Sequence, residues 1–253
     1  MSLSSAERET SRSARITKWL VGVAARMKAS GAVTARAIIE STASGPVDVV
    51  GSSFGGACAL WLASSRPDLV RSIVLEGVPM IEGARLAMNL RLLAVGPVGR
   101  FIAGRTASDS DVRRTFKQLG HERLVAAGWP SGADRDWGLS MMNDADTMKN
   151  EVALIQHAAS WRGFRNGALF DPDGLSGIEA PTLWLIGDRD PFGSPDMCRL
   201  WADHMPTSSV EIMRDSGHLP WLDDPSAHAQ GLSLIHISEP TRLKTRSRMP
   251  SSA

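Results

Sequence analysis

Val47-Asp48-Val49-Val50-Gly51-Ser52-Ser53-Phe54-Gly55-Gly56 is an apolar run of strand length that meets a glycine-bracketed serine. The next residues, Ala57-Cys58-Ala59-Leu60-Trp61-Leu62-Ala63, read as a buried helix. Strand, tight turn and helix, with Gly51 and Gly55 two residues either side of Ser53, form the pattern of a G-x-S-x-G nucleophile elbow. Such a turn strains its serine, and bulky neighbours at the glycines are expected to collide with the adjoining strand and helix. Ser53 would then stand at a helix N-terminus, where developing negative charge is favoured. Ser52 lacks the symmetric glycine bracket and reads as a polar wall of the site. A glycine-rich turn that only caps a helix is the plainer alternative.

Working outward, Ser72-Ile73-Val74-Leu75-Glu76 reads as the next buried strand and ends at Gly77-Val78-Pro79. About a hundred residues of helical periodicity follow, with helices expected over Ala84–Val95, Asp109–Leu119 and Asp144–Ser160. Asp109 and Asp144 are the expected N-caps. Trp129, Trp137, Met141, Met142, Phe164 and Phe170 in this segment are either an apolar lining for a substrate pocket or the segment's own core. His121 and His157 read as structural or surface residues.

Pro181-Thr182-Leu183-Trp184-Leu185-Ile186-Gly187 is a third short apolar strand, and it runs into Asp188-Arg189-Asp190. Aspartates in such a turn can serve local hydrogen bonds alone. Ser194–Met205 reads as a helix and Val210–Met213 as a last strand, followed by Asp215-Ser216-Gly217-His218-Leu219-Pro220 on a loop. Ser226 to Gln230 begin a closing helix.

In these stretches, from about Val33 to about Gln230, the chain resembles the α/β-hydrolase superfamily. That resemblance implies a mostly parallel sheet with a helical cap insertion. It implies the chain order Ser, Asp, His for a catalytic triad, which selects Ser53, Asp190 and His218, with Asp188 as the second choice of acid. It also implies that the Phe54 backbone N–H serves as one oxyanion donor. His204, His228 and His236 lack the setting of His218. The family's early strands, one of which carries the second oxyanion donor, have no counterpart here: the residues before Val47 read as helix, and no His-Gly motif precedes Ser53. The resemblance therefore implies a core that is incomplete at its N-terminal side.

The expected organisation is an N-terminal helical segment (1–32), a core (33–79 and 179–230), a helical cap (80–178) and a tail (231–253). Within the first segment, Ile16, Trp19, Leu20, Val23 and Met27 recur at helical spacing. Glu7 and Glu9, and the lack of a clear cleavage site, set aside a targeting peptide. Gly231 to Arg242 read as translated sequencing-adapter sequence, so the tail is expected to be artefactual or disordered.

A net charge of +1 argues against a nucleic-acid partner, and no stretch approaches a membrane span. Two cysteines, Cys58 and Cys198, make no disulfide framework and suit a reducing, cytoplasmic compartment. No metal-ligand spacing and no cofactor motif stand out. The resemblance implies hydrolysis of a small-molecule ester through an acyl-enzyme, with Ser52, Trp129, Trp137 and Met141 toward the substrate. Serine at the elbow disfavours the family branches that carry aspartate there. A carbon–carbon bond hydrolase with the same triad, or a catalytically impaired fragment, stays open.

Overall fold

A computed structural model describes residues 27–237, apart from 166–167. It opens on helix α1 (Met27–Thr42), followed by strand β1 (Val47–Ser52), helix α2 (Phe54–Ser65) and strand β2 (Val70–Glu76). Six helices come next: α3 (Met88–Leu93), α4 (Gly96–Ala103), α5 (Asp109–Gln118), α6 (Glu122–Ala126), α7 (Gly132–Asn143) and α8 (Thr147–Ala158). A small antiparallel pair, β3 (Ala159–Ser160) and β4 (Gly163–Phe164), closes that segment. The chain then returns through β5 (Thr182–Gly187), α9 (Pro195–Asp203) and β6 (Ser208–Met213), and ends on α10 (Pro220–Asp223) and α11 (Pro225–Ile237).

The main sheet has the order β1-β2-β5-β6, and every pairing is parallel. Parallel strands need crossovers that cover both faces, so the central strands should be apolar throughout. All six residues of β5 are buried, as are six of the seven in β2. Alternation along the strands divides the core in two. Ile73, Leu75, Trp184 and Ile186 pack with α2 and α9 through Leu60, Leu62, Cys198 and Trp201. Val74, Leu183 and Leu185 point to the other face, where Leu232 of α11 covers them. Burying one such aliphatic side chain contributes about 1.5–3 kcal/mol, so α11 is held by this face. A third apolar cluster, Val112, Phe116 and Val125 with Trp129 and Leu139, forms inside the helical segment and reaches Leu219 and Leu222.

Several expectations need correction. The helix expected over Val33–Ser41 runs from Met27 to Thr42; the rest of the expected N-terminal segment, before Met27, and the tail from residue 238 on lie outside the described structure. The helix expected over 84–95 is shortened to α3, and a separate helix, α4, follows, its first turn fixed by Pro97. The N-cap of α5 is Ser108, whose hydroxyl and Asp111 form a capping box, rather than Asp109. Asp144 closes α7 instead of opening α8. The helix α11 continues to Ile237, past the expected break at Gly231. Gly231 lies so close to the sheet that an added Cβ would stand 2.8 Å from Leu185, and Leu232 completes the contact. Val50, expected inside the sheet, is 46% exposed, because β1 pairs only with β2 among the described residues.

Candidate active site

β1 delivers the chain into a turn in which Ser53 has φ 53° and ψ −117°, a left-handed conformation that a residue with a Cβ rarely holds. The turn is pinned on both sides. The Ser53 N–H donates to the Glu76 carbonyl (3.2 Å), and the Ser53 carbonyl accepts from the N–H groups of Gly56 (3.0 Å) and Met80 (3.4 Å). An added Cβ on Gly51 would stand 2.5 Å from the Gly55 carbonyl oxygen, so this position admits only glycine. The expectation differs at Gly55, where a Cβ would meet open space. The close neighbour is Gly56, against Pro79. Ser52 Oγ is buried without a hydrogen-bond partner among the described residues.

Ser52 and Glu76 are the last aligned pair of β1 and β2, so Ser53 and Gly77 follow at corresponding strand ends. Gly77 has φ +64°, and a Cβ there would fall 2.2 Å from the His218 carbonyl and 2.9 Å from His218 Nδ1. The imidazole of His218 therefore rests on the end of β2, one strand away from Ser53. Ligand sites in open parallel sheets lie at this carboxyl edge.

From the end of β5, Gly187 leads to Asp190, whose N–H donates back to the Gly187 carbonyl (3.2 Å). Asp190 Oδ2 accepts from His218 Nδ1 (2.7 Å) and from the Val78 N–H (2.8 Å), and Oδ1 accepts from the Phe192 N–H (2.9 Å). Both side chains are buried. With its oxygens occupied by backbone donors, the carboxylate has no proton to give, so His218 Nδ1–H donates to it and Nε2 is left as the accepting nitrogen. The Phe192 ring lies 4.4 Å from the imidazole, centre to centre, and limits its tilt. Asp188, the other carboxylate of the turn, is exposed.

Phe54 is the first residue of α2, and its ring meets Trp61 edge-on at 6.3 Å. Trp129 sits in the core of the helical segment, 4.6 Å from Phe116, with Nε1 donating to Asp134. Trp137 is 45% exposed and Met141 is half-buried on α7. Trp129 thus packs within the helical segment, and Trp137 lies at its surface. Burial pushes both the Cys58 and Cys198 thiols up to about 12, which leaves neither as a thiolate at neutral pH.

Sequence reasoning missed two residues near this edge. Glu151, on α8, is half-buried. That burial raises its carboxyl above the usual range, while the positive charge available to His218 pulls the other way. His121 is fully buried beside the His218 loop. No periodicity could mark either, since both face partners far away in sequence.

Residues 29–225 match the family model for the alpha/beta hydrolase fold. The chain belongs to that family. It is 27% identical over 190 residues to the (E)-2-((N-methylformamido)methylene)succinate hydrolase of Acinetobacter baylyi, covering 74% of this chain and 64% of that protein. It is 27% identical over 187 residues to a pimeloyl-acyl-carrier-protein methyl ester esterase of Neisseria meningitidis, covering 73% of this chain and 67% of that one. The chain thus spans a little under two thirds of the first relative's length. Among solved structures, an alpha/beta hydrolase enzyme from a Medee basin deep-sea metagenome library superposes with a TM-score of 0.58 at 15% identity, over 82% of this chain and 71% of that one. Among the described residues, no group of three or more His, Cys, Asp or Glu could hold a metal ion, and no helix is long and apolar enough to cross a membrane.

Proposed function

We propose that this α/β hydrolase is a serine hydrolase that cleaves an ester of a small, fairly apolar carboxylic acid through an acyl-enzyme. The reading rests on one observation above all. The buried Asp190–His218 couple stands against Gly77, the strand-end neighbour of Ser53 on its strained turn. His218 Nε2 takes the proton as Ser53 Oγ bonds to the ester carbonyl carbon. The C–O bond then breaks, and the alcohol leaves with that proton. Water, giving a proton to the same nitrogen, attacks the acyl-enzyme; the acyl C–Oγ bond breaks, the proton passes from Nε2 to Ser53 Oγ, and the acid is freed. Asp190 holds the imidazole tautomer and stabilises its charged form. The Phe54 N–H, at the start of α2, is one oxyanion donor.

The esterase name of the Neisseria relative supports an ester over other acyl groups. The substrate is a small molecule. Two buried, unpaired thiols suit a reducing cytoplasm. A fluorophosphonate probe and short p-nitrophenyl esters test the site together. Ser53→Ala should lose labelling and turnover, while Ser52→Ala keeps a measurable fraction. Undiminished labelling of Ser53→Ala overturns the reading. Turnover of a ring-cleavage dienone but of no ester would replace ester cleavage by carbon–carbon cleavage.

A further inference from the structure

Three consecutive backbone N–H groups around His218 are each held by a partner outside their own loop. The Gly217 N–H donates to Asp223 Oδ2 (2.9 Å), the His218 N–H to the Leu119 carbonyl (2.8 Å), and the Leu219 N–H to His121 Nε2 (3.3 Å). Two of the three holders, Leu119 and His121, come from the turn between α5 and α6 in the helical segment. The third belongs to α10. His121 Nδ1 and Asp223 Oδ2 stand 2.6 Å apart, so the holders are themselves joined. The His121 side chain is fully buried and that of Asp223 is nearly so.

The hydrogen bonds fix the tautomer. Nε2 accepts from an amide and cannot carry a proton, so Nδ1 carries it and donates to Asp223. A second proton on Nε2 would set one donor against another. The space around the couple is also closed. A Cβ on Gly217 would fall 2.8 Å from His121 Cε1 and 2.6 Å from the Leu119 carbonyl, and one on Gly120 would fall 2.3 Å from the Arg189 carbonyl. Arg189 immediately precedes Asp190, so the same turn that grips the histidine loop also touches the acid loop.

From this geometry we propose that His121 and Asp223 are positioning residues for His218, a second aspartate–histidine couple through which the helical segment sets the aim of the first. The proposal rests on His218 acting as the base of Ser53. Neither His121 nor Asp223 takes part in the chemistry. They fix the backbone from which His218 projects, while Asp190 fixes its ring. A displacement of about 1 Å in a reacting group can cost roughly a hundred-fold in rate, so a loop held at three successive amides has much to lose from losing one.

The test compares His121→Phe, which fills the space but holds nothing, with His121→Gln, whose amide can accept from Leu219 and donate to Asp223. For His121→Phe the expected result is a fall in kcat of roughly a hundred-fold with KM little changed. Faster amide hydrogen exchange at Gly217 and Leu219, and a shifted low-field proton signal from His218 Nδ1, should accompany it. His121→Gln should recover most of kcat and restore slow exchange. Asp223→Asn, which keeps one acceptor oxygen, should be milder than Asp223→Ala, and this pair carries the test if His121→Phe does not fold. Wild-type kcat and exchange in folded His121→Phe, or in Asp223→Ala, would overturn the proposal. Failure of the underlying reading looks different: Ser53→Ala would then keep its activity, while the exchange data would still report whether the loop is held.

Discussion

Of the three buried carboxylate–histidine couples described, two meet at the end of the second strand of the sheet, and they use the same chemistry differently. Asp190 and His218 meet at 2.7 Å above the carboxyl ends of the strands. Glu76 and His228 meet at 2.6 Å, joining the last residue of β2 to helix α11. In the first couple the carboxylate is short, sits on a turn and is gripped by two backbone N–H groups. In the second the carboxylate is on a longer side chain with the imidazole as its bonded partner, and Trp221 lies 6.0 Å from that ring. A grip on both oxygens fixes direction, which matters when the far nitrogen must meet a reacting hydroxyl. A single bond fixes distance, which suffices to fasten a helix to a strand.

The sharpest way to break this contrast is to remove charge from the first couple. Asp190→Asn should lower kcat for a p-nitrophenyl ester by about 10⁴-fold through loss of the reactive tautomer, with a lower thermal midpoint as well, because one backbone N–H loses its acceptor. Asp188→Asn should do little. Comparable losses in both would dissolve the claim that grip selects the acid.

Breaking the second couple should give the opposite profile. His228→Ala strands a buried carboxylate and should cost about 3 kcal/mol of stability, measured by urea unfolding. Turnover per folded molecule should persist. Replacing both partners, Glu76→Leu with His228→Leu, should return much of that stability. If the single change is silent for stability, the couple fastens nothing.

The smallest expected effect belongs to Glu151, the carboxylate within electrostatic reach of His218. Its folded-state carboxyl is raised by burial above the ordinary 4.5, so ionisation opposes folding. Wild-type stability from this group is therefore whole below that value and declines as pH rises through the raised one. Glu151→Gln should raise the thermal midpoint by a few degrees at pH 8, and the gain should vanish near pH 4. An equal gain at both pH values would assign the effect to packing instead.

The resemblance brought Asp190 and His218 together through their chain order, and nothing in the sequence brought Glu76 to His228. Gly187 and Gly217 mark where strand and loop must pass closely, and Gly51 marks the turn before Ser53. These are local signals, written within a few residues of the groups they position. Glu76 and His228 are 152 positions apart, and His121 and Asp223 are 102 apart. Each pair is created by packing that no window of sequence contains. The same reason explains the expected break of the closing helix at Gly231. Gly231 and Leu232 look unremarkable in isolation, and only the apolar face of β2 and β5 gives them a place. Helix starts went wrong where one hydrogen bond decides them, as at Ser108 against Asp109.

The close backbone passages beneath the site bear on how its selectivity could be altered. At Gly77, Gly187 and Gly217, a single added carbon would strike backbone atoms within 2.2 to 2.6 Å. Saturation libraries at these positions would return mostly unfolded clones. The surface of the helical segment is more permissive: Trp137 of α7, for example, is 45% exposed. Directed evolution of this protein should therefore draw its useful diversity from that segment, while the floor of the candidate site stays unchanged from parent to descendant.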